Sequence, residues 1–508
     1  MPRYSNAANL PLNIVPHAGA SLPAQIAEQV RDLIVAGTLA PGDPLPSTRA
    51  LATELGVSRG TVVAAFEQLS AEGYLAPTKG GTRVTENLKL QKMPGRTSGQ
   101  AQRADRMEHP RPEAINMQPG HPDTSLLTSA VWRAAWRTAA ASPGTQHPPQ
   151  GSARLQEQLA EHLRIMRHVV REPQQVLITA GARDGFRLVL TALRQQRRNR
   201  PLRVAVENPG YPSLHRIPAT FGHEILPIAV DDNGLNPARL PQRQAPDVVL
   251  VAPSHQYPLG ASMPVARRLE LIEWARANDA YIVEDDYDSE LRYTGEPLPA
   301  LAALDDAATG RVITLGSFTK TLTPGLGLGY LLAPDATREA LVDLRRDLGT
   351  PVSSIVQDAM ADFLADGGAR RHIARMRRVY GRRREALLHM LEHVPQWVQV
   401  LPMDGGLHLV LRFTCEQSTP QVEAQIVERL AQRGVAVARL GEYWSGPVSA
   451  PERPVHTPPG RERNRAQQNP TDPHERRDIG LIVGFGGVSE HVLARGAEAL
   501  TSVLGDYS

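Results

Sequence analysis

One cysteine, Cys415, occurs in 508 residues. That scarcity excludes an internal disulfide and any cysteine-rich metal site, and it suits a reducing compartment. No run of about eighteen apolar residues is present, so no membrane-spanning helix is expected. The opening stretch, Met1-Pro-Arg-Tyr-Ser-Asn6, has no charged segment leading into an apolar one, and no secretory leader is expected there. A dominant charge sign is missing as well: 56 Lys plus Arg stand against 53 Asp plus Glu, a net charge of +3. A nucleic-acid partner therefore has to be argued from local residues and not from total charge. Together these absences predict a cytoplasmic protein with no membrane partner and no cysteine-rich metal site. The length exceeds one ordinary core, and domains of about 100–200 residues predict more than one.

The amino-terminal part has helical punctuation. Ile26, Val30, Leu33 and Ile34 recur at helical spacing between Ser21 and Thr38, with Pro23 tolerable in the first turn and Gly37 near the stop. After the Pro-rich stretch Pro41–Pro46, Ser47 is placed to cap a short helix that buries Leu51 and Leu55 and stops at Gly56. Ser58 caps a third helix with Val62, Phe66 and Leu69 on one face, ended by Gly73. Two strand-like pieces, Tyr74–Ala76 and Thr82–Thr85, flank a turn at Lys79-Gly80-Gly81. Three helices and a ribbon predict an α/β winged helix-turn-helix over residues 15–85, the third helix entering the major groove of double-stranded DNA. Ser58, Arg59 and Thr61 fall in its first turn. Arg59 can fork onto a guanine edge, while Arg49 and Lys79 suit phosphates or the minor groove. Solvated surface charge is the competing reading for each arginine alone.

Residues 86–114 mix charge with Gly, Ser, Pro and Gln without an apolar period, the composition of a flexible linker. From 115 to 506 the pattern changes. β-Branched runs at Val176–Thr179, Val204–Val206, Val248–Val251, Tyr281–Val283, Val312–Leu315 and Tyr330–Leu332 alternate with helical stretches such as Ala266–Ala277. A large α/β domain with a mostly parallel, buried sheet follows, its ligands at the carboxyl ends of the strands. Chemistry-bearing residues sit just beyond those strands. Gly181-Ala182-Arg183 offers backbone N–H groups to a phosphate, or is a plain helix start. Tyr211 presents a ring to a planar ligand, or packs its own turn. Glu284-Asp285-Asp286-Tyr287-Asp288 suits a metal ion, or a pyridoxal ring: Asp285 as anionic partner of the ring nitrogen and Tyr287 as hydroxyl donor to the phenolate oxygen. Lys320 is the primary amine that a Schiff base requires, with the hydroxyls of Ser317 and Thr319 close by for a phosphate.

Two sets of motifs carry a resemblance. Pro41-Gly42, Leu45-Pro46-Ser47 through Ala52, Leu55-Gly56-Val57-Ser58-Arg59 through Val62, and Gly73-Tyr74-Leu75 resemble the GntR family of bacterial winged-helix regulators. Pro253-Ser-His-Gln-Tyr-Pro-Leu-Gly260, Glu284–Tyr293, the segment around Lys320 and Arg375–Tyr380 extend it to the MocR or GabR branch, over nearly the whole chain. The resemblance implies a fold type I aminotransferase-like domain fused to the reader, with pyridoxal 5'-phosphate as a Lys320 aldimine. Asp285 would face the pyridine nitrogen, Tyr287 the phenolate oxygen and Tyr211 the ring, with Tyr257 also among the cofactor contacts. It further implies a head-to-tail homodimer, and an amino compound or pyridoxal phosphate itself as the sensed effector. A sensor-regulator is the leading expectation. The alternatives are a working aminotransferase carrying a DNA anchor and a cofactor-free repressor with a vestigial pocket.

The chain departs from that branch in two places. Where relatives carry an arginine that clamps the cofactor phosphate, Gly327 stands in Pro324-Gly-Leu-Gly-Leu-Gly-Tyr330. Arg183 is then either a relocated cation or an outward-facing side chain. The late strand Gly480–Phe485 has no carboxylate-binding arginine, which predicts weak transamination; Arg439 is the substitute for gripping an effector carboxylate, with a surface salt bridge as the rival. The eight arginines between 370 and 384 suit a solvated or interface helix, or DNA backbone contact. Residues 446–477 read as a disordered surface insertion.

Overall fold

The structure is a computed structural model; it describes residues 10–15, 20–78, 80–86, 114–144, 146–295, 298–415, 418–445 and 477–507. Internal contacts divide the chain into two units, Met1–His109 and Pro110–Ser508. The expected linker (86–114) and insertion (446–477) fall almost wholly outside the described residues, as does Lys79.

The first unit builds from its caps. Helix α1 (Leu22–Val35) carries Pro23 in its first turn. Helix α2 (Thr48–Leu55) starts where Ser47 Oγ accepts from Ala50 N at 3.1 Å and stops at a left-handed Gly56. Helix α3 (Arg59–Ala71) starts where Ser58 Oγ accepts from Thr61 N at 3.2 Å. The three pack Ile26, Val30, Ile34, Leu51, Val62, Phe66 and Leu69 into one core. Strands β1 (Leu75–Thr78) and β2 (Gly81–Val84) form an antiparallel ribbon. Arg83 of that ribbon donates to Gly42 O at 2.8 Å and ties it to the Pro-rich loop. The unit also begins earlier than residue 15: Leu10 is buried in the same core. The Gln29 amide holds both backbone groups of Asn13, at 2.8 and 2.7 Å, so the Leu10–Val15 segment is strapped along α1.

The second unit is built on strands β3 (Ile115–Asn116), β4 (Val176–Thr179), β5 (Arg203–Asn208), β6 (Glu224–Asp231), β7 (Gly234–Leu235), β8 (Val248–Val251), β9 (Tyr281–Asp286), β10 (Val312–Ser317), β11 (Gly329–Leu332), β12 (Val398–Leu401), β13 (His408–Phe413), β14 (Val435–Ala436), β15 (Ala438–Arg439) and β16 (Gly480–Gly484). Eight of them form one sheet in the order β4-β11-β10-β9-β8-β5-β6-β7. Its middle, β10-β9-β8-β5-β6, is parallel, and β11 runs antiparallel to both neighbours. Apolar clusters cover both faces, one around Phe186, Val189 and Leu250, the other around Leu159, Val249 and Phe363. That double burial explains the continuous β-branched runs. A four-stranded sheet, β12-β13-β16-β15, backs a separate core that includes Leu409, Val483 and Leu500. β3 pairs in parallel with β14, so the start of this unit is woven into its carboxy-terminal part.

One expectation changes in detail. Glu284, Asp285 and Asp286 are not in a loop beyond a strand; they are buried within β9 itself. The arginine-rich helix, Gly368–Met390, exposes Arg371, Arg375, Arg377, Arg378 and Arg382, as a solvated helix does, and ties the fold through a few of its side chains: buried Arg383 bonds Asp123 at 2.7 Å, Arg384 bonds Met403 O at 2.6 Å and Arg377 bonds Arg292 O at 3.1 Å.

Candidate functional site

The shared edge of β4, β5, β9 and β10 opens on a cavity of about 580 Å³. The end of each strand delivers side chains or backbone groups to it. After β4, Gly181 adopts φ +88° and caps helix α6 (Ala182–Gln196, the sixth helix of eight or more residues), so the N-terminus of that helix lines the cavity. Gly329 of β11 permits this turn, since a Cβ there would lie 2.7 Å from Gly181 Cα. After β5 comes Tyr211; Gln256, fully buried, fixes its approach by donating to Pro209 O and Tyr257 O, both at 2.7 Å. From β9 comes Asp285 and just after it Tyr287; Ser317 ends β10, and Thr319 and Lys320 follow it. Parallel register sets Leu315 beside Asp285, which brings residues 30 apart in sequence together and puts Lys320 just beyond the end of the strand next to Asp285. Every residue expected at the cofactor, namely Gly181, Ala182, Arg183, Tyr211, Tyr257, Asp285, Tyr287, Ser317, Thr319 and Lys320, lines this one cavity.

The four carboxylates of Glu284–Asp288 have separate employments. Glu284 accepts from Leu301 N (2.9 Å) and Thr314 Oγ1 (2.9 Å), Asp286 pairs with buried Arg167 at 2.8 Å, and Asp288 pairs with His255 at 2.9 Å. Asp285 is left, with Oδ1 buried and without a hydrogen-bond partner. Burial, then the neighbouring Asp286 and Asp288, push its carboxyl up to about 7, against the pull of Lys320. A buried carboxylate oxygen waiting for a donor fits a protonated ring nitrogen. Among the described residues no group of three His, Cys, Asp or Glu side chains could hold a metal ion.

Aromatic groups wall the same space. Tyr257 meets Tyr211, Tyr287, His408 and Tyr443 with ring centroids 5.0–5.8 Å apart. Burial raises both Tyr257 and Tyr287 well above the ordinary phenol range, so both are hydroxyl donors. Tyr287 Oη lies 3.0 Å from His255 O and 3.0 Å from His255 Nδ1. Burial brings His408 down to about 4, leaving it neutral; its Nε2 lies 2.9 Å from Pro258 O.

At the helix end, Arg183 donates to Ser213 Oγ at 3.0 Å and remains at the cavity rim. Burial raises the Tyr211 phenol, but Lys320, Ser213 and Arg183 outweigh that and lower it overall. Gly327 also reaches the rim, at φ +53° with nothing within 4 Å of where a Cβ would be. Arg439 is not brought in: its guanidinium pairs with Glu442, three residues on, and it is Glu442 that lines the cavity. Sequence reasoning missed Gly120, His408 and Tyr443. Only the Pro119-Gly120 turn carried a local signal; His408 comes from β13 and Tyr443 from the helical turn Leu440–Tyr443, with no motif around either.

On the reader, Arg49 and Arg59 are exposed, and neither guanidinium is in an ion pair among the described residues. Ser58 and Thr61 are partly occupied, their hydroxyls 2.8 Å apart at the α3 cap.

The comparisons follow the same division. The profile of the bacterial regulatory proteins of the gntR family matches residues 22–84, and that of aminotransferase class I and II matches residues 112–445. The HTH-type pyridoxine biosynthesis transcriptional regulator PdxR of Corynebacterium glutamicum is 46% identical over 86% of this chain and 92% of its own length. The probable rhizopine catabolism regulatory protein MocR of Rhizobium meliloti is 30% identical over 94% and 92%. The chain is a MocR-type regulator of the GntR family. The larger part of this MocR-type regulator has an aminotransferase fold: an archaeal alanine:glyoxylate aminotransferase superposes with a TM-score of 0.65 at 20% identity, over 78% of this chain and 91% of the enzyme. Thermus thermophilus LysN, an α-aminoadipate aminotransferase, gives 0.64 at 22%, over 78% and 93%. These enzymes show the fold of the larger part alone, and no helix in the described residues of this MocR-type regulator is long and apolar enough to cross a membrane.

Proposed function

We propose that this regulator binds pyridoxal 5'-phosphate covalently at Lys320 and that the state of that site sets its affinity for an operator. The observation that carries the reading is the convergence on one cavity of a primary amine, an unpartnered buried carboxylate oxygen and a helix N-terminus. When bound, the cofactor supplies an aldehyde that condenses with amines and a ring that withdraws electrons. Asp285 would hold the ring nitrogen protonated, Tyr287 and Tyr257 would donate to the ring oxygen, and Tyr211 would cover the ring. The α6 N-terminus with Ser317 and Thr319 would take the phosphate, and Arg183 would replace the cation absent at Gly327.

The sensed compound is then an amine able to displace Lys320, or pyridoxal phosphate itself. Likeness to a regulator of pyridoxine biosynthesis favours the second and points to vitamin B6 supply genes as the target. A head-to-tail homodimer in the cytoplasm would set two readers on two half-sites. Differential affinity of the ligand for two states of the protein is what makes such a switch possible.

Titration of the full chain with pyridoxal phosphate should produce an absorption band at roughly 420 nm. Lys320→Ala should lose the band entirely and still bind operator DNA. Borohydride trapping followed by peptide mapping should find the adduct on Lys320; an adduct elsewhere, or none, defeats the proposal.

A further inference from the structure

Lys320 Nζ donates to the backbone carbonyl of Gly120 at 2.8 Å. Gly120 is suited to that position in two ways: its φ is +79°, and a Cβ on it would stand 2.7 Å from Nζ. The residue lies in Ala114–Pro122, the first described stretch of the second unit. The stretch is anchored on both sides of the glycine. Before it, Ile115 N and Met117 N donate to Gly434 O (2.7 Å) and Ala436 O (2.8 Å), and Met117 O accepts from Gly484 N at 2.7 Å. After it, Asp123 N donates to Tyr380 Oη at 2.9 Å and the Asp123 carboxylate accepts from Arg383 at 2.7 Å. Between these anchors, residues 119–122 make one hydrogen bond among the described residues, the one from Lys320.

We infer that Gly120 is a positioning residue for Lys320, and that their hydrogen bond couples the covalent state of the lysine to the segment through which the chain enters this unit. The inference rests on the covalent site proposed above. A free lysine ammonium has three N–H donors. Condensation with an aldehyde would form C=N, break C=O and release water, and the one proton the nitrogen can keep would go to the ring's own phenolate oxygen, a stronger acceptor than a peptide carbonyl; Gly120 O would then lose its donor. An amine that displaces the lysine takes over the C=N bond and returns protons to Nζ, which restores the tie. Loading and displacement thus act on residues 119–122 with opposite signs, and it is the lysine's bonding, not filling of the cavity, that moves them.

Carbon-13 NMR of the full chain labelled at its glycine carbonyls, with the Gly120 signal assigned by its loss in Gly120→Ala, tests this by comparing pyridoxal phosphate with pyridoxamine phosphate, which has an amine in place of the aldehyde and leaves Lys320 free. The Gly120 carbonyl signal should shift upfield with the aldehyde and not with the amine form, the loss of one charge-assisted hydrogen bond at that oxygen. The Gly434 carbonyl, held by Ile115 N, should not change. Lys320→Ala without ligand should match the shifted state. If the 420 nm band forms but the Gly120 carbonyl signal is the same with both ligands, the coupling is wrong while the covalent site stands. If no band forms, the covalent site falls, and Lys320→Ala against the unliganded wild type decides the tie alone: an equal Gly120 signal would overturn it. Gly120→Ala adds an independent check, because displacing Nζ should lower the yield of the band in a chain whose tryptophan fluorescence remains native.

Discussion

The reader and the cavity are built on opposite economies of sequence. Each functional position of the reader is fixed within a few residues of itself: Ser58 caps the helix that presents Arg59, and Gly56 ends the helix before it. The cavity instead draws on Gly120, Arg183, Tyr211, Asp285, Lys320 and His408, spread over nearly 300 positions and joined only by parallel register and the second sheet. Local punctuation tolerates substitution one cap at a time. A site made by convergence stores its cost in buried charge, and Asp285 is where that cost is concentrated.

The widest gap between the two regions should therefore appear as a pH effect confined to the second unit. Asp285 is raised from 3.8 to about 7 in the folded protein. A raised folded pKa means the unfolded chain releases its proton first, so stability is full below pH about 4 and is lost as pH rises through about 7. Asp285→Asn removes that titration. We expect the unliganded variant to be more stable than wild type at pH 8 by a few kcal/mol, less any cost of an unpartnered amide, and to match it near pH 4. All five tryptophans lie between residues 132 and 444, so urea unfolding followed by their fluorescence reads this unit alone. The same variant should retain pyridoxal phosphate poorly. Parallel pH curves for variant and wild type would show that Asp285 is ionised without penalty, and the contrast with the reader would lose its basis.

That contrast also explains what the sequence made readable. The caps Ser47 and Ser58 and the stop at Gly56 act through hydrogen bonds and dihedrals of adjacent residues, and their reading carries over into the structure nearly unchanged. Lys320 and Asp285 were readable because each follows or ends a β-branched run, and strand ends in such sheets share an edge. Glu284 and Asp286 misled as loop acids, because their burial depends on partners far away, Thr314 and Arg167. Gly120 and His408 carry no strand-end signature; their place follows from β3 pairing with β14 and from β13 joining the second sheet, neither of which a local pattern encodes. Arg439 sits in the expected neighbourhood, but Glu442 one turn on captures its guanidinium.

A smaller effect separates the two cations in question at the phosphate end. Arg183→Gln should weaken pyridoxal phosphate binding by roughly tenfold to a hundredfold, the range of a charge-assisted hydrogen bond at about 1.5–3 kcal/mol. Gly327→Arg supplies a cation at an open position, but φ +53° costs a side chain about 1–2 kcal/mol there. That strain is present with and without the ligand and lowers stability, not affinity; because Arg183 already supplies one cation, in the wild-type background we expect only a few-fold tightening. In the Arg183→Gln background, the same change should recover most of the lost affinity. Equilibrium dialysis of the four proteins closes the cycle. Unchanged affinity in Arg183→Gln would mean that the helix N-terminus and the hydroxyls of Ser317 and Thr319 hold the phosphate unaided.

The smallest effect belongs to the reader, where one hydroxyl has two claims on it. Ser58 Oγ already caps α3, so Ser58→Ala should cost about 1 kcal/mol of reader stability. Operator binding would fall with it whether or not Ser58 touches DNA, and alanine alone therefore cannot separate cap from contact. Ser58→Asp can. Aspartate caps as well as serine and its charge favours a helix N-terminus, so the reader should be at least as stable as wild type. Beside a phosphate the same charge repels. Thermal melting followed by circular dichroism, in the transition that leaves tryptophan fluorescence unchanged, reports the cap, and operator titration at fixed salt reports the contact. Stability preserved with affinity reduced places Ser58 against the DNA backbone. If both are preserved, Ser58 serves the helix alone and recognition rests on Arg59.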